Sequence, residues 1–164
     1  MNKIELLNRS HNRKGFDCGN LALNHFLQRI ARQHIEKGIS RTFVIVDGKE
    51  PSDITGFLTL SLCEVDANAL PARWVNKYPS IIPGVRLARL AVTTGHQGQG
   101  IGKILMIEAM RRASLVAENV GVVGLFVDAK DLSARAYYQR FGFETAEKFP
   151  LLLFLPLSGF LELK

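Results

Sequence analysis

At 164 residues the chain has the length of one domain, residues 1–164, and enough material for a real core, since a domain of this size buries about 70% of its unfolded surface. Hydrophobic residues at 47% and charged residues at 22% exclude a disordered or low-complexity chain, and no stretch approaches the ~20 apolar residues of a membrane span. The net charge of +6 is uneven: residues 1–41 hold eight Lys or Arg against three acids, 8 − 3 = +5, which points to a polyanionic partner or to an ordinary solvated face.

The opening MNKIELLNRSHNRK lacks the apolar run of a secretory signal, so a cytoplasmic protein is expected. Without secretory context, Cys18 and Cys63 read as reduced thiols. His11, His25, His34 and His96 have no partners at zinc spacing, so no metal site is expected.

Lys3 to Leu7 reads as a short edge strand, and Phe16-Asp-Cys-Gly-Asn20 as a turn whose Asn20 caps the following helix. In that helix Leu23, Phe26, Leu27, Ile30 and Ala31 form an apolar stripe, while His25, Arg29 and Arg32 occupy another face, and Gly38 marks the stop. Arg41 to Val46 and Ile54 to Val65 predict a hairpin around a turn at 47–53. The segment 66–85, with Pro71, Pro79, Pro83 and Gly84, reads as irregular apart from a short helix over Ala72 to Lys77. Its Trp74 either fills a core gap or stacks on substrate.

Arg86 to Val92 is a strand that runs into Gly98, Gly100 and Gly102, and a helix over Ile101 to Asn119 follows, with Leu105, Met106, Ala109, Met110, Ala113, Val116 and Val120 inward. Alternating glycines let the chain turn tightly with its amides uncovered, and those amides open a helix whose first N–H groups and dipole favour an anion. A phosphate or pyrophosphate is the natural ligand. The spacing is neither that of a P-loop, because Ile104 follows Gly102-Lys103, nor that of a Rossmann loop. Downstream come a strand ending at Asp128, a helix over Leu132 to Phe141, and a last strand over Leu151 to Leu157. The whole predicts an α/β protein, a mixed sheet with helices on both faces.

Gln97-x-x-Gly100-x-Gly102 resembles the acyl-CoA signature of the GNAT superfamily of N-acetyltransferases, and Ser133-Ala-Arg-Ala-Tyr-Tyr138-Gln-Arg-Phe-Gly-Phe143 resembles its second motif. The resemblance implies the GNAT fold, a central twisted mixed sheet with acetyl-CoA in the gap between two diverging parallel strands, those ending near Val92 and Val127. It carries Gln97, Gly98, Gln99, Gly100, Ile101, Gly102 and Lys103 into cofactor binding, with Leu90, Ala91 and Val92 holding the pantetheine arm through their backbone. Tyr138 is implied as the acid that protonates the departing thiolate. Asp131 stands where the family often has Asn, at a position toward the pantetheine.

Beyond both motifs the chain resembles a GNAT subgroup of toxins that acetylate the amino group of aminoacyl-tRNA, on Phe16-Asp-Cys-Gly-Asn20, Arg89-Leu-Ala-Val92 and the Leu-Phe-Leu-Pro-Leu157 ending. That implies a homodimer, a ribbon-helix-helix antitoxin, and basic residues guiding tRNA, for which Arg29, Arg32, Arg41, Arg73 and Arg89 are candidates. An α-amino group with pKa near ~8 is about a tenth neutral at pH 7, so it needs less help from a base than a lysine does. The alternative is a GNAT enzyme acting on a small amine, a peptide or a protein N-terminus.

Overall fold

Strand-forming runs rich in Val, Ile and Phe supply β1 (Asn2–Leu6), β2 (Arg41–Asp47), β3 (Glu50–Asp66), β4 (Ile81–Val92), β5 (Gly124–Asp128), β6 (Glu144–Thr145) and β7 (Leu152–Pro156) in the computed structural model, which describes residues 2–156. They form one sheet in the order β1-β2-β3-β4-β5-β7-β6. The β1–β2, β2–β3, β5–β7 and β6–β7 pairs are antiparallel, and β4–β5 is parallel, so the sheet is mixed. Leu157 of the expected last strand lies outside the described residues.

The segment expected as a turn over 47–53 is more compact. Asp47 pairs with Glu50 and Val46 with Ile54, so Pro51, Ser52 and Asp53 are looped out of the ladder with β2 as a bulge. Proline has no N–H to give a ladder and is accommodated there. The stretch expected to be irregular up to Val85 is also partly strand: β4 begins at Ile81, and Pro83 contributes through its carbonyl, which accepts from Val123 N–H at 3.0 Å. In place of a helix over Ala72 to Lys77 there is a single 3-10 turn at Val75–Lys77, built on i→i+3 bonds such as Lys77 N–H to Trp74 O. Tyr78, the residue before Pro79, is extended with φ −132° and ψ 158°, which ends the turn there.

The helical segment after Asn20 comprises α1 (Leu21–His25), one π turn (Phe26–Ile30) and α2 (Ala31–Glu36). Asn20 accepts from Leu23 N–H through its side chain, and Gly38 closes the end with φ +73°. The π turn, in which Ala31 N–H reaches back to Phe26 O, inserts one extra residue and shifts the helical phase. Two further helices are α3 (Ile101–Asn119) and α4 (Leu132–Gln139). Val120, expected to face inward from α3, lies beyond its end and is exposed.

Two compact units can be distinguished. The first holds residues up to Ser61 with Ala88–Ala109, and its core joins Leu7, Phe16, Phe26, Leu27, Ala31, Val44, Val46, Phe57 and Ala91. Val44 and Val46 thus face the α1–α2 segment. On the opposite face, Leu105 of α3 lies close to Gly56 and Ile45. Helices therefore cover both faces of these strands, which is why β2 reads as a continuous apolar run rather than an alternating one. The second unit holds Leu62–Leu87 and the chain from Met110, and centres on Val65, Leu70, Ile82, Phe126 and Phe154, with Trp74 packed edge-on against Phe154 at 6.0 Å.

Candidate active site

The glycine loop begins where β4 ends. Gly98 and Gly100 adopt φ +77° and +84°, a conformation that other L residues enter only under strain. A Cβ built at either position meets nothing within 4 Å, so the backbone there lies open. Ile104 N–H bonds to Gly100 O at 3.1 Å as the first turn of α3 closes. The preceding amides, of Ile101, Gly102 and Lys103, have no acceptor within the helix.

Gln97 does not reach outward with its amide. Its Nε2 donates to the carbonyls of Cys18 at 3.2 Å and Val92 at 3.0 Å, stapling the loop to the strand end and to the Phe16–Asn20 segment. That segment braces the loop entry further: Asp17 O accepts from Thr94 N–H at 2.9 Å and from the Thr93 hydroxyl at 3.0 Å. Asp17 is in turn fixed by Asn24, whose Nδ2 donates to its carboxylate at 2.9 Å, and by Gly19 N–H, and these bonds hold its carboxyl below the usual range. Sequence reasoning assigned no site role to Asp17 and Asn24; the signal available was an Asx-rich turn just before a helix cap.

Beside the loop, β4 offers backbone. Its parallel ladder with β5 comprises Val85↔Leu125 and Arg86↔Phe126 among the described residues, while β4 runs on to Val92. Leu90 and Val92 are half-buried and Ala91 is buried in the first core. An extended arm rich in amides is the natural partner for such a strand segment.

In the second unit, Tyr138 lies on α4, ring to ring with Tyr137 at 5.5 Å and Phe143 at 5.8 Å. Burial, with a smaller contribution from Tyr137, pushes its phenol up to about 12. Its hydroxyl has no protein hydrogen-bond partner among the described residues, so its proton is committed to none of them. Asp131 is the N-cap of α4, accepting from Ala134 N–H at 2.8 Å; its carboxylate is therefore used in holding the helix start.

The five candidate arginines differ. Arg29 is exposed and has no ion-pair partner among the described residues. Arg32 pairs with Glu36 at 3.5 Å one turn on. Arg41 Nη1 donates to Ile35 O at 3.1 Å, closing the end of the α1–α2 segment. Arg73 forms a two-pronged pair with Glu144 and lies over Trp74, so its charge is largely neutralised within its own unit. Arg89 stacks on Phe26 with its guanidinium carbon 3.6 Å from the ring centre; burial there lowers its pKa, and no carboxylate faces it among the described residues.

The description "Acetyltransferase (GNAT) domain" matches residues 38–145, which contain the end of β4, the glycine loop and the tyrosine helix. The chain belongs to the GNAT acetyltransferase family. Among GNAT relatives, it is 33% identical over 141 residues to a tRNA-acetylating toxin of Mycobacterium tuberculosis, covering 85% of this chain and 82% of the relative. A tyrosine-to-phenylalanine mutant of KacT superposes with a TM-score of 0.93 at 33% identity, covering 99% of both chains. AtaT complexed with acetyl-methionyl-tRNAfMet superposes at 0.91 and 30% identity, again over 99% of both. A mutant AtaT toxin bound to the C-terminus of the antitoxin AtaR and acetyl-CoA gives 0.81 at 30% identity, covering 99% of this chain and 97% of the other. As a GNAT enzyme, the chain shows no cluster of metal-ligating side chains among its described residues, and no described helix is long and apolar enough to cross a membrane.

Proposed function

We propose that this GNAT enzyme transfers an acetyl group from acetyl-CoA to the α-amino group of aminoacyl-tRNA and thereby blocks translation. The observation that carries the reading is its end-to-end likeness to AtaT complexed with acetyl-methionyl-tRNAfMet, at 99% coverage of both chains. A single acetyltransferase domain acting in the cytoplasm, as a homodimer and under the control of a ribbon-helix-helix antitoxin, completes the proposal. The AtaT toxin bound to the C-terminus of AtaR supports the antitoxin.

The residues fit acetyl-CoA, which supplies an activated acetyl thioester. The open backbone at Gly98 and Gly100, with Gln99 exposed between them, and the amides of the first turn of α3 that lack a helical acceptor form a cradle for a pyrophosphate. Gln97 acts by holding that cradle in shape. Backbone groups of Leu90, Ala91 and Val92 take up the pantetheine arm, and one main-chain N–H polarises the carbonyl under attack. Asp131 supports the site by fixing the start of the tyrosine helix.

Transfer makes one N–C bond and breaks one C–S bond; the amine loses a proton and sulfur gains one. Tyr138 donates a hydrogen bond toward sulfur, while solvent takes up the proton lost by the amine and supplies the one the thiolate gains. At about 12 its phenol stays protonated across the neutral range, yet it is a weaker acid than an ordinary thiol near ~8.5. It therefore serves chiefly by hydrogen-bonding the sulfur as negative charge develops, a refinement of the simple acid expected from sequence. Arg29 and Arg89, whose charges meet no carboxylate among the described residues, are the strongest tRNA contacts of the five arginines; Arg32, Arg41 and Arg73 contribute from already engaged positions.

Cell-free translation tests the reading. The protein is expected to arrest synthesis only when acetyl-CoA is present, with freshly charged tRNA restoring it; arrest independent of acetyl-CoA would contradict the proposal.

A further inference from the structure

A second basic feature lies in the first unit and shares no residue with the glycine loop. His11, Asn12, Arg13, Lys14, Gln28 and Arg29 line a pocket of about 340 Å³. Three of the six are cations and none is a carboxylate. Unlike Arg32, Arg73 and Arg86, which pair with Glu36, Glu144 and Asp128, the cations Arg13, Lys14 and Arg29 are in no ion pair among the described residues.

The walls are built rather than loose. His11 is buried, its Nδ1 accepting from Asn8 N–H at 3.0 Å, which leaves the proton on Nε2 to donate to Glu5 at 2.7 Å. Asn12 accepts from Gly15 N–H through Oδ1, fixing its amide so that Nδ2 remains a donor. Gln28 is held by its Nε2 on Phe16 O at 3.1 Å. Arg13 Nη1 donates to Gln28 O at 3.3 Å, within the π turn, which orients the guanidinium while leaving its other N–H groups available. An irregular helical turn is thus part of the scaffold that sets an arginine fork.

We propose that this pocket is a phosphodiester seat, holding backbone phosphate of the tRNA separately from the groups that carry out acetyl transfer. The proposal rests on the aminoacyl-tRNA reading above. A guanidinium fork, an ammonium and a neutral amide NH2 suit phosphate oxygens, and each phosphate neutralised releases counterions. The lining has no aliphatic side chain to anchor a peptide, which favours RNA over an acidic protein segment.

The test uses the Asn12→Asp/Lys14→Glu double variant, altered at two exposed residues of the pocket, the aspartate keeping an oxygen for Gly15 N–H, and separately Arg13→Gln. Retention of the charged tRNA pool on filters is measured across salt concentrations, beside acetyl transfer to charged tRNA and to an aminoacyl-adenosine that lacks any phosphodiester. The double variant is expected to bind tRNA at least about 10-fold more weakly at 0.1 M salt, with a salt slope shallower by about 1 to 2. Arg13→Gln shifts both in the same direction by less. The KM for acetyl-CoA and the kcat/KM for aminoacyl-adenosine stay within about twofold of the parent. Unchanged tRNA affinity and slope, or an equal loss on aminoacyl-adenosine, overturns the seat; so does a raised acetyl-CoA KM, which would assign the pocket to the cofactor, or a loss of polyglutamate binding with tRNA binding intact. If the parent acetylates neither acceptor the substrate reading fails, and the filter measurement still decides the pocket.

Discussion

Tyr138→Phe removes one oxygen and leaves the ring contacts to Tyr137 and Phe143 in place. Since the hydroxyl has no protein partner among the described residues, its removal orphans none of their groups, and the fold should keep its stability within about 0.5 kcal/mol at neutral pH. Its effect falls on the reaction. A hydrogen bond to a charged group contributes about 1.5–3 kcal/mol, so the loss in kcat is expected at about 10- to 150-fold, with the acetyl-CoA Kd unchanged. Complete proton transfer would give more: general acid catalysis contributes up to about 10⁴-fold, but a phenol at about 12 lies some 3.5 units, or about 5 kcal/mol, above an ordinary thiol. Single-turnover acetyl transfer with parent and variant, each saturated with acetyl-CoA, separates the chemical step from binding. A kcat within threefold of the parent, or a parallel loss of acetyl-CoA affinity, would refute the assigned role. So would a fall in parental activity at pH 9–10 that the variant lacks, because burial is argued to hold the phenol protonated there.

The same burial makes a stability prediction. The phenol titrates near ~10 when unfolded and at about 12 when folded, so Tyr138 contributes stability below pH ~10 that is lost as pH rises toward 12; at pH 11.5 the parent should lose about 2 kcal/mol more than Tyr138→Phe in urea unfolding. Gly100→Ala adds a Cβ that meets no neighbour but forces alanine to φ +84°, so a cost of about 1–2 kcal/mol and a weakened acetyl-CoA affinity by calorimetry are expected. Gly84→Ala is steric instead: its Cβ would lie 2.4 Å from the buried Phe126 ring, costing about 1–3 kcal/mol in thermal unfolding, partly restored by adding Phe126→Leu.

Local chemistry made much of this legible in advance. The glycine spacing located the loop because Gly98 and Gly100 need positive φ, and Asn20 and Gly38 bounded the helical segment through capping and left-handed closure. Periodicity is blind to an extra residue per turn, so the π turn at Phe26–Ile30 left no trace in the apolar stripe, and the phase of Arg29 could not be read through it. Prolines mislead in both the 47–53 turn and the 66–85 segment, since Pro51 fits a bulge and Pro83 still offers its carbonyl. The state of individual arginines depends on partners far along the chain, as Arg73 with Glu144 and Arg89 with Phe26 show, and composition counts charges without pairing them. For the same reason the charge of the basic first quarter does not distinguish Arg13 and Lys14 from its other cations.

The most direct test of the central claim is transfer of radiolabelled acetyl from acetyl-CoA to a charged total tRNA pool, beside deacylated tRNA and the Tyr138→Phe enzyme. Label on the charged pool alone, released by base hydrolysis as an N-acetyl amino acid and strongly diminished with the variant, is the predicted result. Label on deacylated tRNA, or none on the charged pool from an enzyme that binds acetyl-CoA, would contradict aminoacyl-tRNA as its substrate.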